Sequence, residues 1–298
     1  MSSPDYTMIR GSIVALVTPM LADGRIDFAA LRSLLDWHVA AGTAAVVAVG
    51  TTGESATLDV HEHLEVIRAC REHLGGSIPL IAGTGANSTQ EAIELTQRAV
   101  DLDVDACLLV APYYNRPTQR GLYEHFRTVA EAVNIPQILY NVPSRTAVNL
   151  DNATTLRLAE LDNIVGIKDA TGDLVRGREL IDAAPQGFAV YTGDDGTAVE
   201  FLLAGGDGNI SVTANIAPGQ VATVCRLALA GNEEAARAAN DQLADLNAAL
   251  FIEANPMPVK YALAALGRIQ NGIRLPLMLP EGEAAATIDA ALAGLSDL

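Results

Sequence analysis

Two rhythms of apolar and polar positions alternate along the chain. Short apolar runs, dense in β-branched residues, occur at SIVALVTP (12–19), AAVVAVGTT (44–52), IPLIAGTG (78–85), ACLLVAPYY (106–114), IPQILYNVP (135–143), NIVGIKDA (163–170), FAVYTGDD (188–195) and GNISVTAN (208–215). Runs of this length without polar alternation predict strands buried on both faces. Between them, over Phe28–Ala41, Val60–Leu74, Thr89–Val100 and Leu122–Val133, apolar residues recur at three- and four-residue spacing, which predicts helices with one buried stripe. A strand–helix–strand repeat of roughly 30 residues marks parallel βα units, and eight in roughly 250 residues predict a closed (β/α)8 TIM barrel, with a doubly wound open sheet as the competing α/β architecture. From about Asn232 the chain is rich in Ala and Leu and carries no strand signal. The expected organisation is a catalytic barrel over 1–231 and a C-terminal helical extension over 232–298.

In such a barrel the chemistry collects at the C-terminal ends of the strands. GTTGES (50–55) follows the second run, PYYNRP (112–117) the fourth, YNVPSRT (140–146) the fifth and TGDD (192–195) the seventh, while Lys168 ends the sixth. Lys168 is out of place among Ile164, Val165, Gly166 and Ile167, and lysine is scarce here: of 19 basic residues only Lys168 and Lys260 are lysines. A period of two sets Ile164, Gly166 and Lys168 on one face and Val165, Ile167 and Asp169 on the other. With Val165 and Ile167 against the outer helices, Lys168 points into the barrel beside the space left by Gly166. Desolvation disfavours the charged form of a buried amine and leaves a nucleophile. Such an amine attacks a ketone to give a Schiff base, an electron sink that turns the adjacent carbon into an enamine nucleophile.

Proton transfer falls to Tyr140, one strand earlier at an equivalent position, although a strand tyrosine also fits a simple core position. GTTGES supplies the hydroxyls of Thr51 and Thr52 and backbone N–H groups that can converge on a carboxylate, or an ordinary turn. Arg145 offers a two-pronged guanidinium to a second carboxylate, or a surface charge. His61 and His63, two apart, do not share a helix face and predict no metal site. All five histidines lie in helical patterns, which assigns them structural or surface roles first. GTGANS (83–88) lacks a third glycine, and there is no phosphate-binding GxxxxGK[ST] or GxSxG elbow.

Charge narrows the partners. A net −17 with a pI near 4.5 disfavours nucleic acid and anionic membranes, and no apolar run reaches the roughly 18 residues of a membrane span. Three cysteines, Cys70, Cys107 and Cys225, form no CxxC pair, and no basic-plus-apolar leader precedes the first strand, so a reducing cytoplasm is the expected location.

GSIVALVTPM, GTTGESATL, AGTGAN, APYYNRP, ILYNVPSRT, GIKDATGD, GDD and ISVTAN, in that order, with NPMPVK (255–260) near the end, resemble the dihydrodipicolinate synthase family of class I pyruvate aldolases over nearly the whole chain. The resemblance implies cofactor-independent condensation of pyruvate with L-aspartate 4-semialdehyde to 4-hydroxy-tetrahydrodipicolinate, in lysine and diaminopimelate synthesis. It implies Lys168 as the Schiff-base lysine and Tyr140 as proton donor. Thr51 would link Tyr140 to Tyr114, which reaches in from a neighbouring subunit of a homotetramer, a dimer of dimers. Thr52 and Ile210 would contact pyruvate, Gly193 would line the pocket, and Arg145 would hold the carboxylate of the aldehyde substrate. L-Lysine, as feedback inhibitor, would bind at a dimer interface near Ser55, Ala56, His63, Asn87, Glu91 and Tyr113. Two positions depart from the pattern: Ala147 where glycine is common, and Val60 where lysine-sensitive bacterial members often have histidine. Sister aldolases such as N-acetylneuraminate lyase and keto-deoxy-sugar-acid aldolases would share Lys168 and Tyr140 but lack the arginine of PSRT. A non-catalytic keto-acid sensor would have lost one of the two.

Overall fold

The computed structural model describes residues 7–295. Eight parallel strands, β1 (Gly11–Ala15), β2 (Ala45–Ala48), β3 (Leu80–Gly83), β4 (Ala106–Val110), β5 (Gln137–Asn141), β6 (Ile164–Asp169), β7 (Ala189–Thr192) and β8 (Gly208–Ser211), pair in chain order and close with β8 against β1. The expected strands are all present but shorter than their apolar runs, because the runs continue into the loops of the mouth. Nine helices follow the strands among the described residues: α1 (Phe28–Ala40), α2 (Val60–Leu74), α3 (Thr89–Val100), α4 (Gln119–Ala132), the short α5 (Pro143–Thr146) and α6 (Asn152–Leu158) after β5, α7 (Leu174–Ala183), α8 (Ala198–Leu203) and α9 (Pro218–Leu229). Then come α10 (Glu233–Asp241), α11 (Ala244–Ala249), α12 (Met257–Ala265) and α13 (Gly282–Ala293). None of the described helices is long and apolar enough to cross a membrane.

Local chemistry sets where the barrel helices begin. Asp27, Asp59, Ser88, Thr118, Asp151 and Asp173 each accept a hydrogen bond from a first-turn N–H, a cap worth about 1 kcal/mol. Capping by Thr118 also explains why α4 starts at Gln119, ahead of the expected Leu122: its first turn is polar and hides from an apolar count.

Ile13, Ala45, Val47, Ile81, Leu108, Ile138 and Ala189 fill the barrel interior. Tyr191 is fully buried beneath the mouth, and its hydroxyl donates to the Ile9 carbonyl at 2.8 Å. Below Lys168 the barrel is thus packed with side chains, and a substrate can enter only at the C-terminal end. The expected parity of β6 needs correction. Val165 belongs to the interior cluster and Ile164 and Ile167 to the outer one, because the register against β5 shifts between Gln137–Ile164 and Ile138–Gly166. This bulge restores Lys168 to the inside. Nor does Gly166 leave room for the lysine: a Cβ there would lie 2.6 Å from the Ala189 carbonyl, so glycine serves the close approach of β7.

Candidate active site

Lys168 is inward by construction. Asp169 beside it faces the helices, where its carboxylate pairs with Arg176 at 2.6 Å and takes the Thr171 N–H at 2.9 Å. Alternation then turns Lys168 to the interior, 5% exposed, directly opposite Tyr140 in the β5–β6 ladder. Its Nζ lies 4.4 Å from the Tyr140 ring centroid. Among the described residues it takes part in no ion pair. On the other side, a Cβ on Gly193 would come 2.4 Å from Lys168 Cε and 2.8 Å from Ala170 Cβ. Gly193 therefore supplies the room that the lysine uses.

The loop after β2 presents Thr51 and Thr52. Its backbone is left-handed at Val49 (φ 49°) and Glu54 (φ 57°), conformations that cost on the order of 1–3 kcal/mol at residues with a Cβ and persist only where surroundings enforce them. Thr52 is buried, and its Oγ1 accepts from Asn255 Nδ2 at 3.0 Å, which leaves its own proton free to donate. Asn255, just before α12, also accepts Arg145 Nη2 on its carbonyl at 2.9 Å. One residue of the C-terminal extension thus touches both expected carboxylate binders. Sequence reading used NPMPVK only as a mark of likeness and gave Asn255 no place at the site. Ile210 is buried in the barrel interior, on β8. Ala147 ends α5 at φ 58°, so the loop keeps the left-handed turn that glycine would give more cheaply.

A cavity of about 530 Å³ opens beside this mouth. Thr51 and Arg145 line it together with Ser55, Ala56, His63, Glu91 and Tyr113, five of the six residues expected around a lysine effector. Lys168 and Tyr140 do not line it, so it is a neighbour of the lysine's pocket rather than the pocket itself. Asn87 does not line the cavity; its carbonyl accepts Asn115 Nδ2 at 2.8 Å. Burial, and then Glu91, raise the pKa of Tyr113. His63 Nε2 lies 2.8 Å from the Gly83 carbonyl. A carbonyl only accepts, so Nε2 carries the proton and Nδ1 is left as an acceptor; burial lowers the imidazole's pKa. Val60, at the first turn of α2, also lines the cavity. Tyr114 is not brought to Lys168 within its own chain: it is 89% exposed, with φ 72°.

Comparison with known proteins agrees with the fold. A model of the dihydrodipicolinate synthetase family matches residues 8–294. The 4-hydroxy-tetrahydrodipicolinate synthase of Cellvibrio japonicus is 62% identical over 270 residues, covering 91% of this chain and 93% of the relative. The crystal structure of chloride-inhibited dihydrodipicolinate synthase from Acinetobacter baumannii complexed with pyruvate superposes with a TM-score of 0.95 at 56% identity, over 96% of this chain and 99% of that one. That of the Cyanidioschyzon merolae enzyme with lysine bound gives 0.93 at 38% identity, over 96% and 98%. With so much of its length shared at such identity, the chain belongs to the dihydrodipicolinate synthetase family.

Proposed function

We propose that this chain is a class I lyase that condenses pyruvate with L-aspartate 4-semialdehyde to 4-hydroxy-tetrahydrodipicolinate, in lysine and diaminopimelate synthesis. One observation carries the reading: a buried amine, Lys168, held against the Tyr140 ring with space cleared for it at Gly193. Lys168 Nζ adds to the pyruvate ketone and water leaves, giving an imine. The iminium draws electrons from the methyl carbon, which loses a proton and becomes the enamine nucleophile. That carbon attacks the aldehyde, and the new alkoxide takes a proton. The acceptor's own amine then displaces Lys168 and closes the ring, so one water is lost overall. Tyr140 serves the proton transfers, with Thr51 linking it to Tyr114. Thr52 and Ile210 hold pyruvate, Gly193 walls its pocket, and Arg145 holds the acceptor's carboxylate. The barrel, 1–231, is the catalytic unit and 232–298 its helical extension; the reaction needs no cofactor, and its place is the cytoplasm.

Borohydride reduction with pyruvate, followed by peptide mapping, should mark Lys168. Label on Lys260 would overturn the assignment, and product from pyruvate with N-acetylmannosamine but not with aspartate semialdehyde would favour a sister aldolase.

The same reading includes L-lysine as feedback inhibitor in the 530 Å³ cavity. Glu91 offers a carboxylate to an ammonium, His63 an acceptor nitrogen, and Tyr113 a hydroxyl to a carboxylate. The homotetramer places Tyr114 in a neighbour's site, a role that suits its exposure. Mixing Tyr114→Phe and Lys168→Ala chains under exchange should regain activity; no recovery despite exchange would leave Tyr114 to its own chain.

A further inference from the structure

One charged pair at the mouth has no part in the chemistry above. Lys260, on α12, and Glu54, at the end of the β2 loop, are ion-paired with both side chains fully buried. Lys260 Nζ also donates to the Thr18 carbonyl at 3.1 Å, and Glu54 Oε2 accepts the Arg274 backbone N–H at 3.3 Å. Thr18 in turn donates from Oγ1 to the Gly53 carbonyl at 2.7 Å. A single ammonium from the C-terminal helices therefore grips the loop after β1 and the loop after β2 together. Between these anchor points lie Thr51 and Thr52, in a loop whose left-handed residues Val49 and Glu54 do not hold that shape unaided. The Arg274 side chain extends the brace, with its guanidinium on Glu62 at 2.6 Å and on the Thr57 carbonyl at 2.9 Å.

A buried pair of this kind is a poor source of stability, since desolvation offsets much of the attraction. Its use is geometric. Desolvation lowers the pKa of Lys260, while Glu54 opposes the shift and favours the ammonium, which donates a further hydrogen bond to the Thr18 carbonyl. With no access to solvent and a carboxylate already in contact, Lys260 is no second nucleophile.

We infer that Lys260 is a positioning residue for pyruvate: through Glu54 and Thr18 it fixes the loop that sets Thr51 and Thr52 against the keto acid on Lys168. The inference rests on the function proposed above and assigns Lys260 no contact with substrate.

The test is the pyruvate dependence of borohydride trapping on Lys168, which needs no second substrate, together with steady-state kinetics well below each variant's Tm. Lys260→Met should raise the half-saturating pyruvate and the KM for pyruvate by about tenfold or more. Imine should still form on Lys168 when pyruvate saturates. Lys260→Arg, which can still bridge Glu54 and Thr18, should recover most of the loss. A general structural role would lower Tm without moving the pyruvate KM in folded protein. If Lys260→Met does not fold, Glu54→Gln/Lys260→Met, which leaves no unpaired buried charge, is measured in its place with the same expectation. Wild-type trapping curves in the folded variant would overturn the inference, whereas absence of trapping in the wild type would overturn the proposed function itself.

Discussion

Replacing Gly193 by alanine tests the room made for the lysine. Gly193 does not hold a left-handed backbone, so alanine carries no conformational penalty there. The added Cβ would stand 2.4 Å from Lys168 Cε and 3.1 Å from its Cγ. Carbon atoms rest at about 3.5–4.0 Å, so the lysine's end must retreat by about 1 Å or more. Ala170 Cβ, at 2.8 Å, prevents the methyl from yielding the other way. A flexible side chain can move, so the stability cost is that of moderate overpacking, about 1–3 kcal/mol, or a few degrees in Tm. Activity is the sensitive quantity. An error of about 1 Å in a reacting atom costs on the order of 100-fold, equivalent to about 2.7 kcal/mol of barrier. Initial rates with both substrates and the rate of borohydride trapping should both fall by that factor. Gly219→Ala, at a site where the methyl meets nothing within 4 Å, is the control and should stay at wild-type rate. A Gly193→Ala enzyme within twofold of wild type in kcat/KM would refute the reasoning.

Tyr140→Phe keeps the ring beside Lys168 but removes the hydroxyl proposed to carry protons, so kcat should fall by about 10²–10⁴-fold; unchanged turnover would assign proton transfer elsewhere. His38 and His125 are both held down to about 4, chiefly by burial, and the Nε2 of each has no hydrogen-bond partner among the described residues. Each native pKa lies below the unfolded value, so the stability these groups lend is complete above about pH 6.5 and is withdrawn as pH falls toward 4, by up to about 3 kcal/mol per histidine. Thermal melts across that range should steepen downward in the wild type and flatten in His38→Asn; superimposable pH profiles would rule His38 out. Calorimetry should detect L-lysine binding, tightened about 10- to 100-fold by Val60→His through a new hydrogen bond to a charged ligand. No heat in the wild type removes the effector reading, and equal affinity in the variant removes the role of position 60.

The barrel was legible because its information is periodic: buried strands and capped helices recur with a spacing that survives any one irregularity. Lys168 stood out because lysine is rare in this chain and rarer at the end of an apolar strand. Its inward direction was inferred from alternation, and the bulge at Ile164–Gly166 shows that alternation alone misplaces Val165. A register shift depends on how two strands meet, which no single run of residues encodes. The brace from Lys260 to Glu54 spans 206 positions and Asn255 reaches Thr52 across 203, so neither partner's local sequence announces the other. The resemblance alone puts Gly193 at the pocket; that it clears space for Lys168 shows only when the two residues are set side by side.

Tyr140 faces Lys168 across β5–β6, and Lys168 faces Tyr191 across β6–β7, in a register that runs straight from the bulge to the mouth. The spacing of acid and amine is therefore a lattice constant of the sheet, outside the reach of loop mutations. Arg145 and Asn255, which meet above the strands, hold no such fixed coordinate. Anyone seeking a new acceptor aldehyde should vary those two positions and leave the ladder alone, because an altered strand would shift every reacting atom at once.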